Sequence, residues 1–167
     1  MIRPVTPADA AAIAAIYNHY VLHTTITFET APVSEDEMRQ RIAHISAHYP
    51  YLVEESGGTL TGYCYAHRWK EKEAYRLTAE TTVYVAPDHH RQGTGRRLMS
   101  ALLEASQQQG LHNLVACITV PNEASVRLHT SLGFRQVSRF SEVGRKFGQW
   151  LDIYDFEKLL TAASTPV

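Results

Sequence analysis

Cysteine, an excess of charge of either sign and long apolar runs are all scarce in this sequence, and each shortage removes a class of protein. Two cysteines, Cys64 and Cys117, cannot staple a chain of 167 residues. With 44% hydrophobic residues, a chain of this size has no need of a disulfide framework to bury a core. Both lie in apolar, strand-like runs, which predicts buried free thiols rather than a disulfide or a metal site. Sixteen Lys+Arg against seventeen Asp+Glu leave a formal charge of -1, so the molecule as a whole has no pull toward nucleic acid or anionic lipid. No apolar stretch approaches the roughly 20 residues that span a bilayer, and Met1-Ile2-Arg3 runs directly into a polar, Pro-containing stretch rather than a signal-peptide core. A soluble, cytoplasmic protein is expected, without nucleic-acid or membrane partners. Repeats, low-complexity blocks and long linkers are missing as well, so residues 1–160 read as one domain and 161–167 as a flexible tail.

What is present is a change of hydrophobic period along the chain. Thr6 is placed to cap a helix with Pro7 at its first position, and Ile13, Ile16, Tyr17, Tyr20 and Val21 recur at helical spacing. Ser34 and Glu37 form a capping-box pair for a second helix striped by Met38, Ile42 and Ile45 and stopped at Tyr49-Pro50. From Tyr51 the period becomes two: Gly57-Gly58 separates two strands of a hairpin. Residues 78–86 make the strongest strand, with Ala79, Thr81, Val83 and Val85 on one face and Glu80, Thr82 and Tyr84 on the other. A Gly-containing turn, a Leu-rich helix to about Gln109, a strand over 113–120, a short helix ended by Gly133, and strands near 134–143 and 150–156 complete the order. This is an α+β layout: a mixed, mostly antiparallel sheet flanked by helices, with one parallel strand-helix-strand unit at its centre.

The turn Arg91-Gln92-Gly93-Thr94-Gly95-Arg96 follows the strongest strand and opens a helix. Glycines let backbone N–H groups approach an anion, and the helix start adds about half a positive charge, so the turn suits a phosphate or pyrophosphate. It has no Gly-Lys-Ser/Thr ending and no third glycine, which sets it apart from nucleoside triphosphatase loops and dinucleotide fingerprints. His89-His90 has no Asp, Glu or Cys at ligand spacing and reads as a polar loop, with no metal expected.

His90-Arg91-Gln92-Gly93-Thr94-Gly95 resembles the Gln/Arg-x-x-Gly-x-Gly/Ala signature of the GNAT superfamily of acetyl-CoA-dependent N-acyltransferases, with histidine as a departure at the first position. Pro121 to Phe134 is similar to that superfamily's later motif. The likeness narrows to the phosphinothricin and methionine sulfone/sulfoximine acetyltransferase group through Ile16 to Tyr20, Thr27 to Thr30, Tyr49 to Val53, Trp69-Lys70, Glu80 to Val85, Val126 to His129 and Gly148-Gln149-Trp150. It implies a GNAT fold, acetyl-CoA as cosubstrate, a small amino-acid-like amine as acceptor, and a homodimer. Val83, Tyr84 and Val85, the turn residues Arg91, Gln92, Gly93, Thr94, Gly95 and Arg96, and Asn122 are then expected at the coenzyme.

The residues agree with that chemistry. An α-ammonium group is mostly charged at neutral pH and needs a base before it attacks a thioester. Glu80, mid-strand, is the candidate, and it matches the glutamate that serves the family as general base. His129 shares a helix face with Asn122 and Ser125 through steps of three and four, so all three are expected beside the coenzyme arm. The resemblance gives His129 the task of protonating the leaving thiolate. Lys70, Lys72 and Arg76 around Tyr75 are candidates for the acidic end of the substrate, with Phe28, Tyr75 and Tyr84 enclosing its side chain; a solvated charged loop explains the same residues. A covalent route through Cys64 or Cys117 needs an activated thiolate that apolar strands do not supply. Two other readings stay open: a different amine acceptor, such as a polyamine or a peptide N-terminus, and a non-catalytic acyl-CoA sensor. The apolar late strands predict a dimer interface, with Arg145 and Lys146 in the loop between them.

Overall fold

A computed structural model describes residues 1–160; the tail expected at 161–167 lies outside the described residues. Among the described residues, seven strands form one sheet in the order β1-β2-β3-β4-β5-β7-β6. They are β1 (Ile2–Pro4), β2 (Tyr51–Ser56), β3 (Thr59–Arg68), β4 (Thr78–Val85), β5 (Asn113–Val120), β6 (Arg135–Lys146) and β7 (Gln149–Leu159). The helices are α1 (Ala10–His23), α2 (Glu35–Ser46), α3 (Thr94–Gln108) and α4 (Glu123–Ser131). All neighbouring strands are antiparallel except β4 and β5, and α3 makes their crossover, as expected.

Local chemistry sets the element ends. The Asp9 carboxylate accepts from the Thr6 backbone N–H at 2.7 Å, closing the capping box ahead of α1. Arg3 donates to both oxygens of Asp9 and so ties β1 to that turn. At α2 the Ser34 hydroxyl accepts from Glu37 N–H at 3.1 Å, and Met38 and Ile42, four apart, are buried. Gly57 and Gly58, with φ of 58° and 79°, supply the two left-handed residues a tight hairpin needs between β2 and β3. The core is double. One cluster, with Ile13, Tyr20, Val21, Val53 and Tyr63, lies between the sheet and α1/α2. The other, with Cys64, Ala79, Leu98, Leu102 and Leu114, lies between the sheet and α3. No helix among the described residues is long and apolar enough to cross a membrane.

Three expectations are corrected. The strand β1 was not expected: three residues are too few to show a period, and its place is fixed by pairing Ile2 with Glu54 on β2. The last two strands are longer than their patterning suggests, because Phe147 (φ 50°) and Gly148 (φ 77°) turn the chain within two residues. Arg145 and Lys146 therefore belong to β6, opposite Trp150 and Gln149, and not to a loop. Lys146 is buried and donates to the Thr27 carbonyl at 2.8 Å within its own chain. Finally, Cys64 is buried but Cys117 is exposed; it lies on the β5 wall of the cleft described next.

Candidate active site

β4 and β5 pair only over Thr78–Asn113, Ala79–Leu114 and Glu80–Val115. Beyond that point each strand is claimed by its outer neighbour. β3 pairs along β4 as far as Val85, and β7 pairs along β5 as far as Val120. The two halves of the sheet diverge, leaving the inner edges of both strands unpaired with each other, and the Thr81 hydroxyl donates to the Val115 carbonyl at 3.2 Å where the split begins. Buried backbone groups demand partners, so the split is a ready place for a ligand that can add a strand-like arm. It forms a cavity of about 240 Å³.

Glu80, Thr82 and Tyr84 line the cleft from β4, Ala116 to Thr119 from β5, and Asn122, Ser125 and His129 from the start and inner face of α4. The three α4 positions come together because Asn122 caps the helix, accepting from Ser125 N–H at 3.2 Å, while His129 stands one turn above Ser125. His129 Nδ1 lies 2.9 Å from the Ser125 carbonyl. That contact requires a proton on Nδ1, which leaves Nε2 as the nitrogen with the lone pair. Burial lowers the basicity of this imidazole, opposed by the Ser125 hydrogen bond, so it is held neutral. Phe134 packs edge-on against the ring at 5.1 Å and keeps it in place.

Glu80 is partly desolvated, and burial raises its carboxyl above the ordinary range; His67 pulls the other way and Asp155 adds to the rise. The cross-strand partner of Glu80 is His67, whose Nε2 lies 3.9 Å from Oε1. His67 was not singled out from the sequence: it sits thirteen positions before Glu80, and only the β3–β4 register, with His67 opposite Glu80, joins them. On the opposite wall the Cys117 thiol is pushed up to about 12, by desolvation first and then by Glu80 and Asp155. A thiol held protonated in this way is a poor acyl carrier.

Above the cleft, Gly93 caps α3 in the left-handed region at φ 78°. A β-carbon on Gly95 would stand 3.3 Å from Leu128 Cδ2 and 3.7 Å from Val85 Cγ2, so a side chain there would crowd Leu128, and the glycine keeps the start of α3 close to β4 and α4. Thr94 is buried, its hydroxyl donating to Glu54, and Arg97 makes two contacts with the same carboxylate at 3.0 and 2.6 Å. This anchors the start of α3 to β2. Arg91 and Gln92 are exposed, and Arg96 reaches Ser131 on α4 at 3.0 Å. His90, the departure from the motif, is exposed, and its Nε2 lies 2.8 Å from the Tyr20 hydroxyl and 3.2 Å from the Val85 carbonyl. The donors at the α3 start, the unpaired edges of Thr81 to Val85 and Ala116 to Val120, and the α4 polar groups fit a phosphate-bearing carrier with an extended arm.

The structure does not gather every expected residue there. Phe28 and Tyr84 line the cleft, with Phe28 lying against Gly144 of β6. Lys70, Lys72, Tyr75 and Arg76 sit on the loop from β3 to β4, and none of the four is among the residues lining the cleft. That loop closes on itself, with Lys70 Nζ 4.0 Å over the Trp69 ring and Tyr75 edge-on to Trp69 at 5.2 Å. Arg76 lines a separate cavity, together with His67 of β3 and Arg41 and His44 of α2.

Residues 2–154 match the family model described as an acetyltransferase (GNAT) domain. The chain is 41% identical over 170 residues to the phosphinothricin N-acetyltransferase of Streptomyces viridochromogenes, covering 99% of this chain and 92% of that protein. It is also 41% identical over 169 residues to the L-methionine sulfoximine/L-methionine sulfone acetyltransferase of Salmonella typhimurium, covering 99% and 97%. An acetyltransferase from Salmonella typhimurium solved with its cofactor acetyl-CoA superposes with a TM-score of 0.94 at 39% identity, over 100% of this chain and 97% of that one. The fold is thus shared with a protein solved with acetyl-CoA, and this chain belongs to the GNAT acetyltransferases.

Proposed function

We propose that the protein transfers the acetyl group of acetyl-CoA to the amino group of a small amino-acid-like acceptor of the phosphinothricin, methionine sulfoximine or methionine sulfone type, by direct attack with both substrates bound. The observation that carries this reading is the pairing, across one cleft, of a desolvated carboxylate on β4 with a neutral, oriented imidazole on α4. Acetyl-CoA supplies the activated acyl thioester. Glu80 takes a proton from the acceptor's ammonium group, its raised basicity bringing it closer to the working pH of a general base. Once nitrogen has bonded to the acyl carbon, that nitrogen carries a surplus proton, and the sulfur that departs needs one. His129 presents a lone pair at Nε2, so it accepts first and donates second, handing the proton from nitrogen to sulfur.

The α3 start, with Gly93, Thr94 and Gly95, would hold the pyrophosphate; Val83, Tyr84 and Val85 would meet the arm along the unpaired β4 edge, and Asn122 and Ser125 its far side. Phe28 and Tyr84 would enclose the acceptor. Lys70, Lys72 and Arg76, with Tyr75, stay candidates for its acidic end; if so, Arg76→Ala raises KM for the amino acid without changing KM for acetyl-CoA. A homodimer is part of the reading. Phe140, Val143 and Trp150 on the β6–β7 hairpin are each at least 50% exposed, more apolar edge than a monomer usually leaves open. The direct test measures coenzyme A release from acetyl-CoA with methionine sulfone, methionine sulfoximine, phosphinothricin, the common amino acids and polyamines. Turnover confined to polyamines, or absent with every amine, would refute the assignment.

A further inference from the structure

Acetylating an ammonium group forms one C–N bond, breaks one C–S bond and removes two protons from nitrogen. One proton ends on sulfur as the thiol. The other must reach water, and Glu80, which receives it first, stands in a partly desolvated cleft. From the cross-strand geometry we propose that His67 carries this proton from Glu80 to the solvent cavity between β3 and α2, as a positioning and relay residue for the general base.

Two features of His67 support the route. Its Nδ1 lies 3.1 Å from the Arg68 carbonyl, so Nδ1 bears the hydrogen and the lone pair is on Nε2. Nε2 is the atom 3.9 Å from Glu80 Oε1, beyond a hydrogen bond but within the slack that catalytic contacts close when substrate binds. Glu80 as a carboxylic acid would then donate to Nε2, leaving an imidazolium that is stabilised by the carboxylate it has just regenerated. His67 does not itself line the cleft, but it lines a neighbouring cavity of about 890 Å³ that Glu80 does not reach, so through its 3.9 Å contact with Glu80 the ring links the base to a space large enough for water.

The charges around the pair are accounted for. Facing Glu80 are His67 and Tyr65 from β3, Asp155 from β7 and Cys117 from β5. Facing His67 across the cavity are Arg41 and His44 of α2, His48 beyond it, and Arg68, Glu71 and Arg76. The arginines are already paired: Arg41 with Glu29 and Glu37, Arg68 with Glu71, and Arg76 with Glu73 at 3.7 Å. This leaves the cavity polar without a strong anion site, a suitable outlet for a proton.

The inference rests on Glu80 being the base, and its test separates the two claims. His67→Gln keeps polarity but cannot relay; His67→Ala opens room for a free imidazole. Both are assayed in dilute buffer beside Glu80→Gln, with folding checked by circular dichroism and acetyl-CoA binding by calorimetry. The expected result is normal acetyl-CoA affinity, kcat lowered by roughly 10-fold or more, within the range of positioned proton transfer, and recovery of His67→Ala but not Glu80→Gln with added imidazole. The acidic limb of kcat/KM should also move to higher pH in both His67 variants, since the cation that holds Glu80 down is gone. Wild-type kcat and an unmoved limb in both, with Glu80→Gln inactive, would overturn the relay alone; so would a loss of activity that imidazole does not restore with the limb unmoved. A fully active Glu80→Gln would overturn the base and the relay together.

Discussion

Burial lifts the Glu80 carboxyl above its ordinary range, so ionising it at neutral pH opposes folding. The sign follows from linkage: a carboxyl with a raised folded-state value binds protons more tightly folded than unfolded, so its contribution to stability falls as pH rises. Glu80→Gln should therefore lower turnover by roughly 10²- to 10⁴-fold, the usual worth of a positioned base, while raising Tm at pH 8. That gain should vanish below about pH 4, where a carboxyl is protonated in both states. Thermal melts across pH beside steady-state rates check both halves. Asp9 is the opposite case. Its hydrogen bonds to Arg3 first, against burial, hold it down from 3.8 to about 2. Its stabilisation is present above the ordinary carboxylate value and is lost as pH falls through 2. Asp9→Asn should cost about 2 kcal/mol at pH 7, a penalty that shrinks as acid protonates the wild-type group, measurable by urea unfolding.

At the scale of elements, what could be read in the sequence divides by whether the signal was local. Helices α1 and α2 were legible because Thr6, Pro7 and Ser34 punctuate their starts and their apolar stripes are long. β4 and β5 were legible from period two, and the turn into α3 from Gly93 and Gly95 between a strand and a helix. The splitting of β4 from β5 was not legible, because it arises from which neighbour each strand prefers, a property of the assembled sheet. The same reason hid His67, which meets Glu80 only through register, and misplaced Lys146, whose partner Thr27 is 119 residues away. Cys117 misled because an apolar strand next to a cleft reads like one inside a core. The cradle itself gives a sharp expectation. Gly95→Val would drive a side chain toward Leu128 and Val85 and displace the first N–H groups of α3, and acetyl-CoA binding should weaken by roughly 10- to 100-fold, about 1.4–2.8 kcal/mol. Titration calorimetry should show that loss while the KM for the amine changes little.

For the whole molecule, the β6–β7 hairpin decides whether the working unit is one chain or two. Trp150 is 59% exposed and Phe140 50%, and if two-fold packing covers them, a double Phe140→Asp, Trp150→Asp change should convert the species from twice 18.8 kDa to a monomer. Sedimentation equilibrium at micromolar concentration reads this, and a wild-type mass that stays at 18.8 kDa in active enzyme would exclude an obligate dimer. The split between β4 and β5 has a consequence of a different kind. Strand edges from Thr81 to Val85 and from Ala116 to Val120 do not pair with each other, so a bound acetyl-CoA arm would complete a sheet that the polypeptide alone leaves open. Amide hydrogens of those two stretches that face the split should exchange quickly in the free protein and slow when acetyl-CoA is added, while those bonded to β3 or β7 stay protected throughout. By mass action, acetyl-CoA at a hundred times its Kd adds about 2.7 kcal/mol, or roughly 5–10 °C in Tm for a chain of this size. The lifetime of the folded protein in a cell would then rise and fall with the supply of its own acyl donor.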